Sequence, residues 1–156
     1  MSLRLEVQYA VTRTDFALPT RVQFKSWVKA ALAGATVTTS AELVIRLVAI
    51  AEITALNTDY RHKASPTNVL SFPFDSPIPL KIPLLGDILL CPAVIEQEAL
   101  QQGKSLEAHW AHLVVHGVLH LLGYDHIQDE EQQQMEQLEI AILAQLGFAN
   151  PYHEVS

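Results

Sequence analysis

The chain has 156 residues, of which 49% are hydrophobic and 17% charged, and a formal net charge of −7. Such a length supplies one domain with a sizeable core, and the apolar content excludes a disordered chain. The acidic balance excludes a basic nucleic-acid coat, so any polyanion must meet a local positive site.

Leu3 to Tyr9 alternates apolar and polar residues, the period of a half-buried strand. No basic stretch followed by an apolar run marks the start of the chain, and no apolar run approaches about 18 residues. A soluble cytoplasmic protein is expected. Pro19-Thr20 opens a helix to Leu32, with Val22, Phe24, Trp27, Val28, Ala31 and Leu32 mostly at helical spacing and Gly34 as a stop. Glu42 to Ile50 is dense in Leu, Val and Ile and predicts a second strand, followed by a short helix near Ala51–Leu56. Thr67–Phe74 reads as a strand ended by proline. Asp75–Pro83 holds three prolines and reads as loop. Gly86–Cys91 predicts another strand, stopped by Pro92, which starts a helix to about Gln102 with Gly103 as its cap. Ser105 is a candidate N-cap for a helix to about Leu122, ended by Gly123. A last helix spans about Asp129–Leu146 and stops at Gly147. The expectation is a single α+β domain over residues 1–156, with one mixed sheet and helices packed on it.

Cys91 is the sole cysteine. It excludes an intrachain disulfide and any multi-cysteine zinc site, and its thiol agrees with a reducing compartment. Histidine is the richer signal. Five of the seven histidines lie between His109 and His126. His109, His112, His116 and His120 share one helix and fall within an arc of roughly 80°. His116 and His120 are one turn apart, roughly 6 Å along the axis, so their rings can converge on one ion. His112 and His116 share that spacing, but nothing after His112 brings them a third ligand. After His120, Gly123 can take positive φ and turn the chain back so that His126 reaches the same ion. Three neutral imidazoles with one open position make a catalytic zinc site. A lone histidine is more often an ordinary core or surface residue, but three in this spacing with a glycine turn point to a metal. His109 and His112 lie roughly 6–17 Å along the helix from the pair, which limits them to pocket wall or outer shell.

The pattern H-x-x-x-H-x-x-G-x-x-H resembles the metzincin protease signature with one departure. Gly117 stands where that signature has its general-base glutamate. Asp59, Asp87 and Asp125 are replacements in principle, with no spacing behind them. Upstream, Arg61, His62 and Lys63 form the densest cationic cluster. By composition alone it reads first as a solvated loop, although an arginine fork suits bidentate phosphate contacts.

His116 to His126, reading HGVLHLLGYDH, resembles the signature of the YbeY family of rRNA maturation endoribonucleases. Pro66–Pro73, Leu85–Ile88 and the stretch from Met135 to Tyr152 are similar to further motifs of that family. The resemblance covers about Leu56 to the end of the chain. It implies an α+β fold related to zincin hydrolases, with the metal site on a helix and the loop after it. It implies one Zn²⁺ held by His116, His120 and His126, with His116 and Arg61 as catalytic residues. It also implies cleavage of single-stranded RNA, a role in small-subunit rRNA 3′-end maturation and ribosome quality control, and the ribosome or its proteins as partners. Lys63 is expected to help attract the RNA backbone. Neither DNA nor a membrane is an expected partner. Two other classes stand beside this one: a zinc hydrolase such as a protease lacking the motif glutamate, and a non-catalytic assembly factor whose metal stabilises the fold.

Overall fold

The computed structural model describes residues 3–11, 18–63, 65–74, 84–124 and 129–152. Chain order is β1 (Leu3–Ala10), α1 (Arg21–Gly34), β2 (Ala41–Val48), α2 (Ile50–Arg61), β3 (Val69–Pro73), β4 (Leu84–Leu90), α3 (Pro92–Gln102), α4 (Leu106–Leu121) and α5 (Asp129–Gln145). The strands form one sheet in the order β1-β2-β4-β3. β1, β2 and β4 run parallel, and β3 lies antiparallel to β4 at the edge. The expected α+β class with a mixed sheet is the class observed.

Side chains that alternate along the strands feed two cores. Leu43, Ile45 and Leu47 of β2, with Ile88 and Leu90 of β4, pack against buried residues of α1, α4 and α5. Val48, Leu70, Leu89 and Cys91 instead join Ile53 of α2 in a smaller cluster. The sheet therefore carries α1, α4 and α5 on one face and α2 on the other. Phe24 bridges helices in the larger core, making edge-to-face contacts with Trp27 and Trp110 at centroid distances of 5.8 and 5.9 Å.

The helix ends follow local chemistry. Thr20 forms a capping box with Gln23, whose backbone N–H reaches Thr20 Oγ1 at 3.2 Å. Ser105 Oγ accepts from the N–H of Ala108 at 3.0 Å and starts α4, as its sequence predicts. Gly123 adopts φ +101° just beyond α4, the left-handed turn expected there.

Several boundaries differ from the sequence reading. β2 ends at Val48, because Ala49 is already the extended N-cap of α2. β4 begins at Leu84, and Cys91 caps α3 rather than ending the strand. The largest difference is α2, which runs on from Leu56 to Arg61. The extra turn is solvent-facing apart from the buried Asn57 and carries no apolar period, so hydrophobic patterning cannot detect it. It closes at His62 in the left-handed conformation, whose N–H reaches Thr58 O at 3.1 Å. Arg61 is thus the last residue of a helix, not part of a loop. The expected loop Asp75–Pro83 lies outside the described residues.

A candidate active site at the open edge of the sheet

The edge strand β3 is sandwiched between α4 on one face and the C-terminal end of α2 on the other. A cavity of about 330 Å³ opens there, lined by Tyr60, Arg61, Val69–Phe72, His116 and His120. α2 delivers Arg61 and α4 delivers the two histidines, across 55 residues of sequence in the case of Arg61 and His116. Ser71 Oγ ties β3 to α4 by donating to the carbonyl of Gly117 at 3.4 Å. Tyr60 and Phe72 meet edge to face at 5.1 Å beside Arg61.

Neighbouring imidazoles along α4 are not equivalent. His109 and His112 have ring centroids 6.5 Å apart, and His112 and His116 are 6.3 Å apart. His116 and His120 close to 4.6 Å with planes 72° apart. Two rings bound to one tetrahedral zinc, at metal–nitrogen distances of about 2.0–2.1 Å, have centroids about 5 Å apart. This pair therefore fits a shared cation, and the pair His112 and His116 does not. His126 and Asp125 lie outside the described residues. Among the described residues, no three His, Cys, Asp or Glu side chains gather as a metal-ligand group.

His112 turns away from the cavity to a carboxylate that the sequence reading missed. Glu139 of α5 is fully buried. Its Oε2 accepts from His112 Nε2 at 2.6 Å and from the Tyr152 hydroxyl at 2.7 Å. Its Oε1 lies 3.1 Å from His116 Nδ1. Burial alone pushes this carboxylate up, but the hydrogen bonds and charges of His112 and His116 outweigh it and hold Glu139 down at about 2. Burial and the neighbouring Glu139 push the Tyr152 hydroxyl well above its ordinary value, so it remains a proton donor. The sequence did carry a signal. Glu139 sits in register with buried Met135, Ile142 and Leu143, an acid on the apolar stripe of α5.

His109 forms a separate network, with Nε2 3.0 Å from Glu98 Oε1, to which Asn68 also donates at 3.0 Å. Burial lowers its pKa below the ordinary 6.5 and keeps the ring neutral. Lys63 is exposed beyond the end of α2 and is not among the residues lining the cavity. Asp59 and Asp87 are exposed as well and do not line it.

Gly117 has a packing reason of its own. A Cβ built there would lie 2.9 Å from Ile88 Cγ2, so α4 approaches β4 too closely for a side chain. The position points into the larger core, and a glutamate there would face the sheet rather than the cavity.

The fold has known company. The solution structure of TM1509 from Thermotoga maritima superposes with a TM-score of 0.56 at 20% identity, covering 97% of this chain and 99% of that one. This chain thus adopts the same α+β fold over nearly its whole length. The sequence is more specific than the fold: the model of the family described as endoribonuclease YbeY matches residues 9–147. The chain belongs to the YbeY endoribonuclease family, whose named activity is the internal cutting of RNA. No helix among the described residues is long and apolar enough to cross a membrane.

Proposed function

We propose that this protein is a cytoplasmic, zinc-dependent endoribonuclease that cleaves single-stranded RNA in the maturation of rRNA 3′ ends and in ribosome quality control. The observation that carries this reading is the convergence of Arg61, His116 and His120 on one cavity at the sheet edge. His116, His120 and His126 would hold the ion. When bound, zinc supplies a Lewis acid for a phosphoryl oxygen and lowers the pKa of a water molecule.

The remaining chemistry belongs to the chain. Arg61 donates its planar fork to the non-bridging oxygens of the scissile phosphate and stabilises the charge that grows there. Tyr60 and Phe72 flank Arg61 with aromatic faces on which an unpaired base can stack, which suits single strands over duplexes. Lys63 adds positive charge just outside the cavity and assists capture of the RNA backbone. With a net charge of −7, affinity for free RNA is weak and salt-dependent, so the ribosome or its proteins present the substrate.

Incubating a labelled single-stranded RNA with the purified, zinc-loaded protein tests this reading. His116→Ala is expected to lose both zinc and cleavage. Arg61→Ala is expected to keep zinc near the wild-type content while cleavage falls roughly 10²-fold. Undiminished cleavage by Arg61→Ala would remove that residue from the mechanism. Peptide hydrolysis with inert RNA would instead favour a zinc hydrolase of the protease class.

A further inference from the structure

We propose that Glu139 is the positioning residue of the metal centre: its buried carboxylate accepts a hydrogen bond from the Nδ1–H of His116 and so presents the Nε2 lone pair of that ring to the cation. The inference deepens the zinc reading above and rests on it. Glu139 is wholly inaccessible to solvent, in a chain where only Asn57 and His109 are the other buried polar residues among those described. Burying a carboxylate is costly unless its oxygens are satisfied, and an apolar residue in its place would be the cheaper filler of a core. Its presence on the apolar stripe of α5 therefore calls for a role beyond packing.

The geometry supplies one. An imidazole offers a metal whichever nitrogen lacks the proton, and the partner of the other nitrogen decides which that is. Oε1 of Glu139 stands 3.1 Å from His116 Nδ1, so Nδ1 carries the proton and Nε2 the lone pair. Oε2 is pinned by two further donors, His112 Nε2 at 2.6 Å and the Tyr152 hydroxyl at 2.7 Å. Those two bonds stop the carboxylate from rotating and so fix the plane of the His116 ring. Tyr152 belongs to the segment after α5, which a second bond holds in place, from Lys104 Nζ to the carbonyl of Pro151 at 3.0 Å. His112 and the residues around Tyr152 thus act on the centre through Glu139 without lining the cavity that holds His116 and His120.

The test is a competition for zinc between the full-length, zinc-loaded protein and a chromophoric chelator, for wild type, Glu139→Gln and Glu139→Ala. Glu139→Ala is expected to bind zinc about 10- to 100-fold more weakly, the usual cost of losing such a partner. Glu139→Gln retains one acceptor oxygen and is expected to fall between the two. In the zinc-loaded wild type, a slowly exchanging His116 Nδ1 proton is expected by NMR, and it should be lost from Glu139→Ala. Wild-type zinc affinity and a retained Nδ1 signal in Glu139→Ala would overturn the proposal. So would a lowered melting temperature at saturating zinc with unchanged affinity, the mark of packing alone. Should the Glu139 variants not fold, Tyr152→Phe carries the test. It leaves the carboxylate in place, and an affinity loss of about threefold is expected, whereas no loss overturns the proposal. A wild-type protein that takes up no zinc would overturn the metal reading itself, an outcome distinct from the others.

Discussion

His109 shows how burial turns a titratable side chain into a condition on stability. It is 4% exposed and bonded to Glu98, and desolvation lowers its pKa from 6.5 against the pull of that carboxylate. In the unfolded chain the ring takes up a proton near pH 6.5, whereas in the folded protein it does so only at lower pH. Below pH 6.5 the unfolded state therefore binds more protons, and stability falls as pH falls through that window. Above it the contribution is complete. Urea unfolding of wild type and His109→Gln between pH 7.5 and 5.5 checks this. Wild type is expected to lose stability more steeply with acid than the variant, and parallel curves would show that His109 does not report on folding.

At the scale of elements, the contact between α4 and the sheet sets the position of the histidines. Gly117 lets the helix settle onto Ile88, and the same turn of helix receives the hydroxyl of Ser71 from β3. A branched side chain at 117 must push α4 away from β4. Gly117→Val is expected to destabilise the protein by about 1–3 kcal/mol, the usual cost of overpacking a filled core, measurable as a shift in the urea midpoint at constant slope. The same packing accounts for the absence of the motif glutamate. That position is filled by helix–sheet contact, and the carboxylate beside the histidines, Glu139 of α5, lies buried outside the cavity and does not take the place of that glutamate. The added turn of α2 belongs to this scale too. A helix stopping at Leu56 would leave Arg61 in a connecting loop; the observed one ends at Arg61, on the rim of the cavity.

For the whole molecule, most of the packing lies away from the cavity. The larger core gathers β1, β2 and β4 under α1, α4 and α5, and the smaller one lies beneath α2. The cavity opens at the sheet edge, where Leu70 of the smaller core and Val69, packed against the larger one, form part of its wall. Removing zinc with a chelator is therefore expected to abolish RNA cleavage while far-UV circular dichroism at 25 °C stays unchanged, and zinc should restore cleavage. Loss of the helical signal on chelation would favour an ion that holds the fold together, as in an assembly factor. The sequence by itself determined the α+β class, the order of the elements, the Ser105 cap, the Gly123 turn and the histidine spacing, because each is written in nearest-neighbour chemistry or in a period of two or 3.6 residues. The YbeY signature was likewise legible, being contiguous. The spacing and the glycine turn already favoured His116 with His120 over His116 with His112, and the tertiary structure added their ring separations, 4.6 Å against 6.3 Å. It alone brought Arg61 of α2 to α4 around an edge strand, and it alone made Glu139 a partner of His112, His116 and Tyr152. Those arrangements join residues far apart in the chain, and which of them meet is set by how helices seat on a sheet, a property that no local pattern encodes.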